Sequence, residues 1–155
     1  MSVLFEEGSP EELFLELQKK HTKTIDKMLY QRGLGNIGQP MLLCILSKQK
    51  DGTIESQKEL AKKLRISPAT VTVSLRSMER DGYVKKLSSE EDQRRKPITI
   101  TDKGRRAVKL IDELFETVDH GMYRGFSPEE MGLISGLYRR MIDNLDATVS
   151  GLEAR

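Results

Sequence analysis

The sequence predicts a mainly helical α+β fold with one small β-hairpin, and three observations carry that reading. Apolar residues recur at three- and four-residue spacing through most of the chain, helix-starting signatures punctuate it, and one segment, residues 83–101, alternates apolar and polar residues at its two ends. At 155 residues and 17.6 kDa the chain can form one domain with a real core. Aromatic residues make up 5% and Trp is absent, so an aliphatic core is expected.

Taken in order, Ser9-Pro10-Glu11-Glu12 places Ser at N-cap, Pro at N1 and Glu at N3, where the carboxylate can return to the cap amide. A helix is expected from there to about Arg32, with Leu13, Leu17, Met28 and Leu29 among its apolar positions, before Gly33, Gly35 and Gly38 interrupt the pattern. A short helix over about Gln39 to Gln49 follows, in which Met41, Leu42, Cys44, Ile45 and Leu46 are too continuous to face solvent together. Gly52 to Glu55 can form a very short strand. Ser56-Gln57-Lys58-Glu59 then opens a helix with Leu60, Ala61 and Leu64 inward, and after a turn through Arg65 and Ile66, Ser67-Pro68 opens another that ends at Asp81-Gly82.

The second helix of that pair has two kinds of face. Val71, Leu75 and Met78 form its inward stripe, while Ala69, Thr70, Thr72, Val73, Arg76 and Ser77 are small or flexible residues that let a helix approach another surface closely. Two helices joined by a short turn, with small polar residues and one Arg outward, meet the needs of a helix-turn-helix, though an ordinary helical hairpin shares the pattern. Tyr83, Val84 and Leu87 then give strand character, Ile98 and Ile100 alternate with Thr99 and Thr101, and residues 90–95 between them read as a hairpin tip. Pro97 donates no amide hydrogen, which calls for an edge position or a ladder starting just after it. A hairpin directly after a helix-turn-helix is a winged helix.

Charge favours a polyanion as the partner of this segment. Residues 56–106 hold 14 Lys and Arg against 7 Asp and Glu, whereas the rest of the chain holds 12 against 17. A winged helix facing double-stranded DNA would use Gln57, Ser67, Ala69, Thr70, Thr72, Val73 and Arg76 in the major groove or on nearby phosphates, and Lys85, Lys86 and Lys96 along the backbone. Arg94 at the tip can enter the minor groove, braced by Asp92 two positions earlier, leaving Arg95 for phosphate. The bland alternative is a solvated loop whose acidic and basic residues neutralise one another.

Other classes find little to stand on. There is no glycine-rich phosphate loop after a strand, His21 and His120 give no zinc spacing, and no nucleophile has an evident base, so neither enzyme, metal nor cofactor is expected. The lone Cys44 excludes an internal disulfide. The N-terminus turns acidic before a signal core can form and no apolar run approaches a membrane span, which predicts a cytoplasmic protein.

The arrangement resembles the MarR (multiple antibiotic resistance regulator) family of winged-helix transcription factors. The family's Asp-x-Arg wing, followed by a strand and Leu/Ile-Thr-x-x-Gly, is matched by Asp92, Arg94, Ile98, Ile100, Thr101 and Gly104. Upstream, Leu60, Ala61, Leu64, Ser67, Thr70, Val71, Thr72, Leu75, Glu79, Gly82, Tyr83 and Val84 fit as well. The chain departs from many members at Val73, where they carry a basic residue, and places Arg76 one turn later. The resemblance implies a single domain over residues 1–155, with a winged-helix lobe at 39–101 and dimerisation helices at 9–33 and 102–150. It implies a homodimeric repressor on a pseudo-palindromic operator, released by a small aromatic or lipophilic effector near His21, Met28, Leu42, Ile45 and Met122.

The flanking segments agree with a dimer. Thr101-Asp102 can cap a helix from Lys103 to about Tyr123 with Ala107, Ile111, Leu114, Val118 and Met122 in one stripe, and Ser127-Pro128-Glu129-Glu130 opens a last helix carrying Met131, Ile134, Leu137, Met141, Leu145 and Val149. A small central module cannot bury all these faces, whereas helices exchanged across a two-fold axis can; an intramolecular bundle is the competing solution. The rival functions are a winged-helix protein-interaction module, a MarR-like activator, and a thiol sensor using Cys44. The last is disfavoured because Cys44 lies among apolar residues.

Overall fold

Local chemistry at the serine caps sets the frame of the molecule. In the computed structural model, which describes residues 5–35, 37–54, 57–87 and 97–153, α1 (Pro10–Gln31) starts where Ser9 Oγ accepts the Glu12 amide at 3.3 Å. The Glu12 carboxylate takes the Gly8 amide at 2.6 Å, not the Ser9 amide, because Ser9 N–H already donates to the Glu6 carbonyl at 3.0 Å. At α6 (Pro128–Glu153) the capping box is complete: Glu130 N–H donates to Ser127 Oγ at 3.2 Å and Ser127 N–H to Glu130 Oε2 at 2.8 Å.

Between these lie α2 (Pro40–Ser47), a 3-10 turn (Lys50–Gly52), β1 (Thr53–Ile54), α3 (Gln57–Leu64), α4 (Pro68–Arg80), β2 (Val84–Lys86), β3 (Ile98–Ile100) and α5 (Asp102–Met122). The chain forms two compact units, Met1–Asp119 and His120–Arg155. In the first, α2 is the hub: Leu42, Leu43 and Leu46 are fully buried with Leu60 of α3, Val71 and Met78 of α4, and Ile111 and Leu114 of α5. The inward stripe expected of α4 also includes Ser74. On α1 only Ile25 and Leu29 are buried, and Leu13 and Leu17 stand in solvent. In the second unit the Tyr123 and Phe126 rings meet edge to face, 6.1 Å between centroids, just before α6.

Among the described residues the sheet has three strands, not the two of a simple hairpin. Its order is β1-β3-β2, antiparallel throughout, with Thr53 opposite Thr99, Val84 opposite Ile100 and Lys85 opposite Thr99. β3 is therefore central, and Pro97 is tolerated because the strand begins one residue after it; the Pro97 carbonyl still accepts the Leu87 amide at 2.8 Å. The alternation expected along β3 fails at Thr99, which is buried with Ile98 and Ile100. β1 covers it, and its hydroxyl is satisfied by Thr53 Oγ1 at 2.9 Å. The hairpin tip, with Asp92, Arg94, Arg95 and Lys96, and the Ser56 cap lie outside the described residues.

Thr101 joins the sheet to α5. Its Oγ1 accepts the Gly104 amide at 3.1 Å as a helix cap, while its hydroxyl donates to the Gly82 carbonyl at 2.7 Å and its amide to the Tyr83 carbonyl at 3.0 Å. α1, α3 and α4 all end in a Schellman motif, closed by the bonds Leu34 N–H to Leu29 O, Ile66 N–H to Ala61 O and Tyr83 N–H to Met78 O.

Candidate nucleic-acid interface

The outer face of α4 is a strip one side chain wide. Ala69, Val73, Arg76 and Arg80 are all exposed and follow one another at four, three and four residues, with Val73 67% exposed. An apolar side chain left this open in the middle of a helix, beside an Arg, suits contact with a surface having both methyl groups and acceptors. Arg80 is held by its own neighbours, its Nε 3.0 Å from Asp81 Oδ1 and its Nη2 3.1 Å from Ser77 Oγ. That guanidinium holds the Asp81 carboxyl below the usual carboxylate range. Arg76, by contrast, makes no ion pair among the described residues, so its charge is open to a ligand.

The hydroxyls of this helix are less available than its spacing suggests. Thr70 Oγ1 lies 2.8 Å from Ser67 Oγ, the atom that also accepts the Thr70 amide at 3.0 Å. Thr72 Oγ1 lies 2.9 Å from both the Pro68 carbonyl and Gln57 Oε1. Gln57 and Thr72 thus tie the start of α3 to the second turn of α4, a linkage that the sequence pattern did not reveal because it spans two helices. Both threonines are engaged within the chain, leaving Ala69, Val73 and Arg76 as open side chains of the outer strip.

On the wing, Lys85 projects from β2 into solvent, whereas Lys86 Nζ sits 2.5 Å from Glu79 Oε2 of α4. Both partners are partly exposed, so this pair is worth about 0–1 kcal/mol and Lys86 can exchange it for a phosphate. Behind the wing, Lys103 Nζ lies 4.6 Å from the centroid of the Tyr83 ring and 2.6 Å from the Asp81 carbonyl, which fixes α5 against the end of α4.

The comparisons with known proteins agree with this geometry. Residues 36–96 match the MarR family, and the HTH-type transcriptional repressor YetL of Bacillus subtilis is 35% identical over 138 residues, 86% of this chain and 81% of YetL. The chain belongs to the MarR family. Among solved structures, the MarR-type fold recurs in the S. aureus MepR–DNA complex, at 25% identity and a TM-score of 0.76 over 89% of this chain and 99% of MepR. A riboflavin kinase of Pyrococcus furiosus is also 35% identical, but over 104 residues that span 45% of its length and 63% of this chain.

The residues expected around a MarR effector differ in their exposure. Leu42 is fully buried, Met28 and Ile45 are half-buried against the core, and Met122 belongs to the second unit. His21 lines an open concavity along α1 with Gln18, Lys19, Thr22, Lys23 and Asp26, and its Nε2 is 3.9 Å from Asp119 Oδ1.

Cys44 is a packing residue. It is 3% exposed, its Sγ is 3.8 Å from Asp112 Oδ1, and burial, with the Asp112 charge adding to it, pushes the thiol up to about 11. At neutral pH about one thiol in ten thousand is ionised at such a value. A maleimide or disulfide reagent is expected to label native protein orders of magnitude more slowly than urea-unfolded protein, with the native rate still rising above pH 9. Fast native labelling accompanied by loss of DNA binding would restore the thiol-sensor reading.

Proposed function

We propose that this MarR-family transcriptional regulator is a homodimeric repressor that binds double-stranded DNA at a pseudo-palindromic operator and is released by a small aromatic or lipophilic effector. The observation that carries the reading is the open strip Ala69, Val73 and Arg76 on α4, braced from behind by the bond between Gln57 and Thr72 and flanked by the exposed Lys85. A rigid reading edge with one free guanidinium is chemistry suited to base edges and phosphates, and MepR, solved as a DNA complex, shares the fold. Arg94, braced by Asp92, would probe the minor groove, with Arg95 and Lys96 on phosphates.

In this reading the protein is one MarR-like domain: residues 39–101 form the DNA-binding lobe, and residues 9–33 and 102–150 build the two-fold interface. The effector acts near α1, where His21, Met28 and Ile45 are accessible in part. The protein performs no catalysis and works in the cytoplasm, and among the described residues no helix is long and apolar enough to cross a membrane.

Selection of bound duplexes from a random pool at stated salt tests this directly. The wild type is expected to enrich a palindrome and to lose affinity steeply with salt. Arg76→Ala should weaken binding by about 1–3 kcal/mol and relax specificity within each major-groove half-site. Arg94→Ala should weaken A·T-flanked sites most. No enriched palindrome, together with flat salt dependence, would sink the DNA-binding reading.

A further inference from the structure

The three Schellman helix ends of the first unit turn left-handed at Gly33 (φ 72°), Arg65 (φ 53°) and Gly82 (φ 77°). The hydrogen bonds are alike: Gly33 N–H to Tyr30 O at 3.0 Å, Arg65 N–H to Lys62 O at 3.3 Å and Gly82 N–H to Glu79 O at 3.0 Å. A left-handed residue with a Cβ crowds its own backbone, which is why glycine dominates this position. Two of the three ends follow that preference. The third, in the turn of the helix-turn-helix, holds an arginine instead, so the side chain at that point has a use that offsets an unfavourable backbone.

The surroundings of Arg65 indicate what the use is. It is exposed, has no ion pair or side-chain hydrogen bond among the described residues, and stands two residues before the Ser67 cap of α4. Lys62, one turn earlier, is exposed as well, while Lys63 is held by Glu59 at 3.0 Å and Gln49 at 2.8 Å. The positive end of the α4 dipole lies beside the turn and adds to the same field. No ion pair or side-chain hydrogen bond among the described residues explains the arginine.

We propose that Arg65 is a DNA phosphate contact at the entry to the reading helix, kept in a left-handed conformation that aims its guanidinium at the backbone beside the half-site read by α4. This rests on the DNA-binding reading above and adds a residue and a role to it. The contact is to phosphate and not to a base because the turn flanks α4 and is not part of its outer strip, so it fixes register without reading sequence.

The test uses the full-length protein with Arg65→Gly and Arg65→Lys on the selected operator across a salt series. Arg65→Gly relieves the backbone, so it is expected to melt no lower than wild type. Its affinity nevertheless falls about threefold to tenfold, and the slope of log K against log salt becomes shallower by about one. Arg65→Lys keeps the wild-type slope. If Arg65→Gly binds as tightly as wild type with the same slope, while Arg76→Ala still weakens binding, the role of Arg65 is overturned and the DNA-binding reading stands. If wild type itself shows no salt-dependent DNA binding, both fall.

Discussion

Gly104→Ala is expected to destabilise the protein by about 3 kcal/mol, a large effect for one methyl group. A Cβ at this position would overlap the Tyr83 carbonyl oxygen and come within 2.6 Å of Ile100 Cγ1. Neither neighbour can retreat easily. The Tyr83 carbonyl accepts the Thr101 amide at 3.0 Å, and Ile100 is buried in the central strand, paired with Val84. The first turn of α5 would have to lift away from the sheet, breaking the Thr101 cap and opening the core behind the wing. Urea denaturation followed by circular dichroism measures this, and the midpoint should drop without a change in slope. Gly121→Ala is the control, since a Cβ there meets nothing within 4 Å and a helical alanine is favoured over glycine by about 1 kcal/mol. Equal behaviour of the two variants would show that the close approach of α5 to the wing does not limit stability.

The parts of this fold that sequence foretells are those decided within four residues. Ser9, Ser67 and Ser127 start helices because cap and amide are neighbours along the chain, and all three bonds form. What depends on distant partners is harder to foresee. β1 is only two residues long and exists because Thr53 and Ile54 meet Thr99 and Ile98, which also explains why Thr99 is buried against the alternation of its own strand. The candidate interface divides in the same way. The spacing of Ala69, Val73 and Arg76 identifies the outer strip of α4, but the intrachain duty of Thr72 emerges only when Gln57 is brought to it from another helix. The left-handed turn at Arg65 is equally hidden, because it is Ile66 closing back on Ala61 that fixes the backbone there, in the absence of the usual glycine signal.

Met141→Glu combined with Leu145→Glu is expected to convert the proposed dimer to a monomer and to lower operator affinity about a hundredfold or more. No residue of α6 whose side chain is described is buried, yet Leu133, Leu137, Met141, Leu145 and Val149 recur every four residues with exposures of 64%, 40%, 49%, 66% and 53%. Tyr138 and Ile142 add a second row beside them. An apolar stripe of this length is far more than scattered surface hydrophobics, and covering it with a second copy recovers about 25 cal/mol for each Å² removed from water. Two glutamates per chain would place four carboxylates in that interface, where each unpaired charge is strongly disfavoured, while in a monomer they remain hydrated. The single chain should therefore keep its helical spectrum and its first-unit core, which uses neither residue, and light scattering should report half the mass. DNA binding then falls because each reading helix must find its half-site alone instead of being delivered by its partner. A double variant that remains dimeric would move the interface off this face of α6, and one that becomes monomeric yet binds the operator undiminished would remove the need for two-fold recognition altogether.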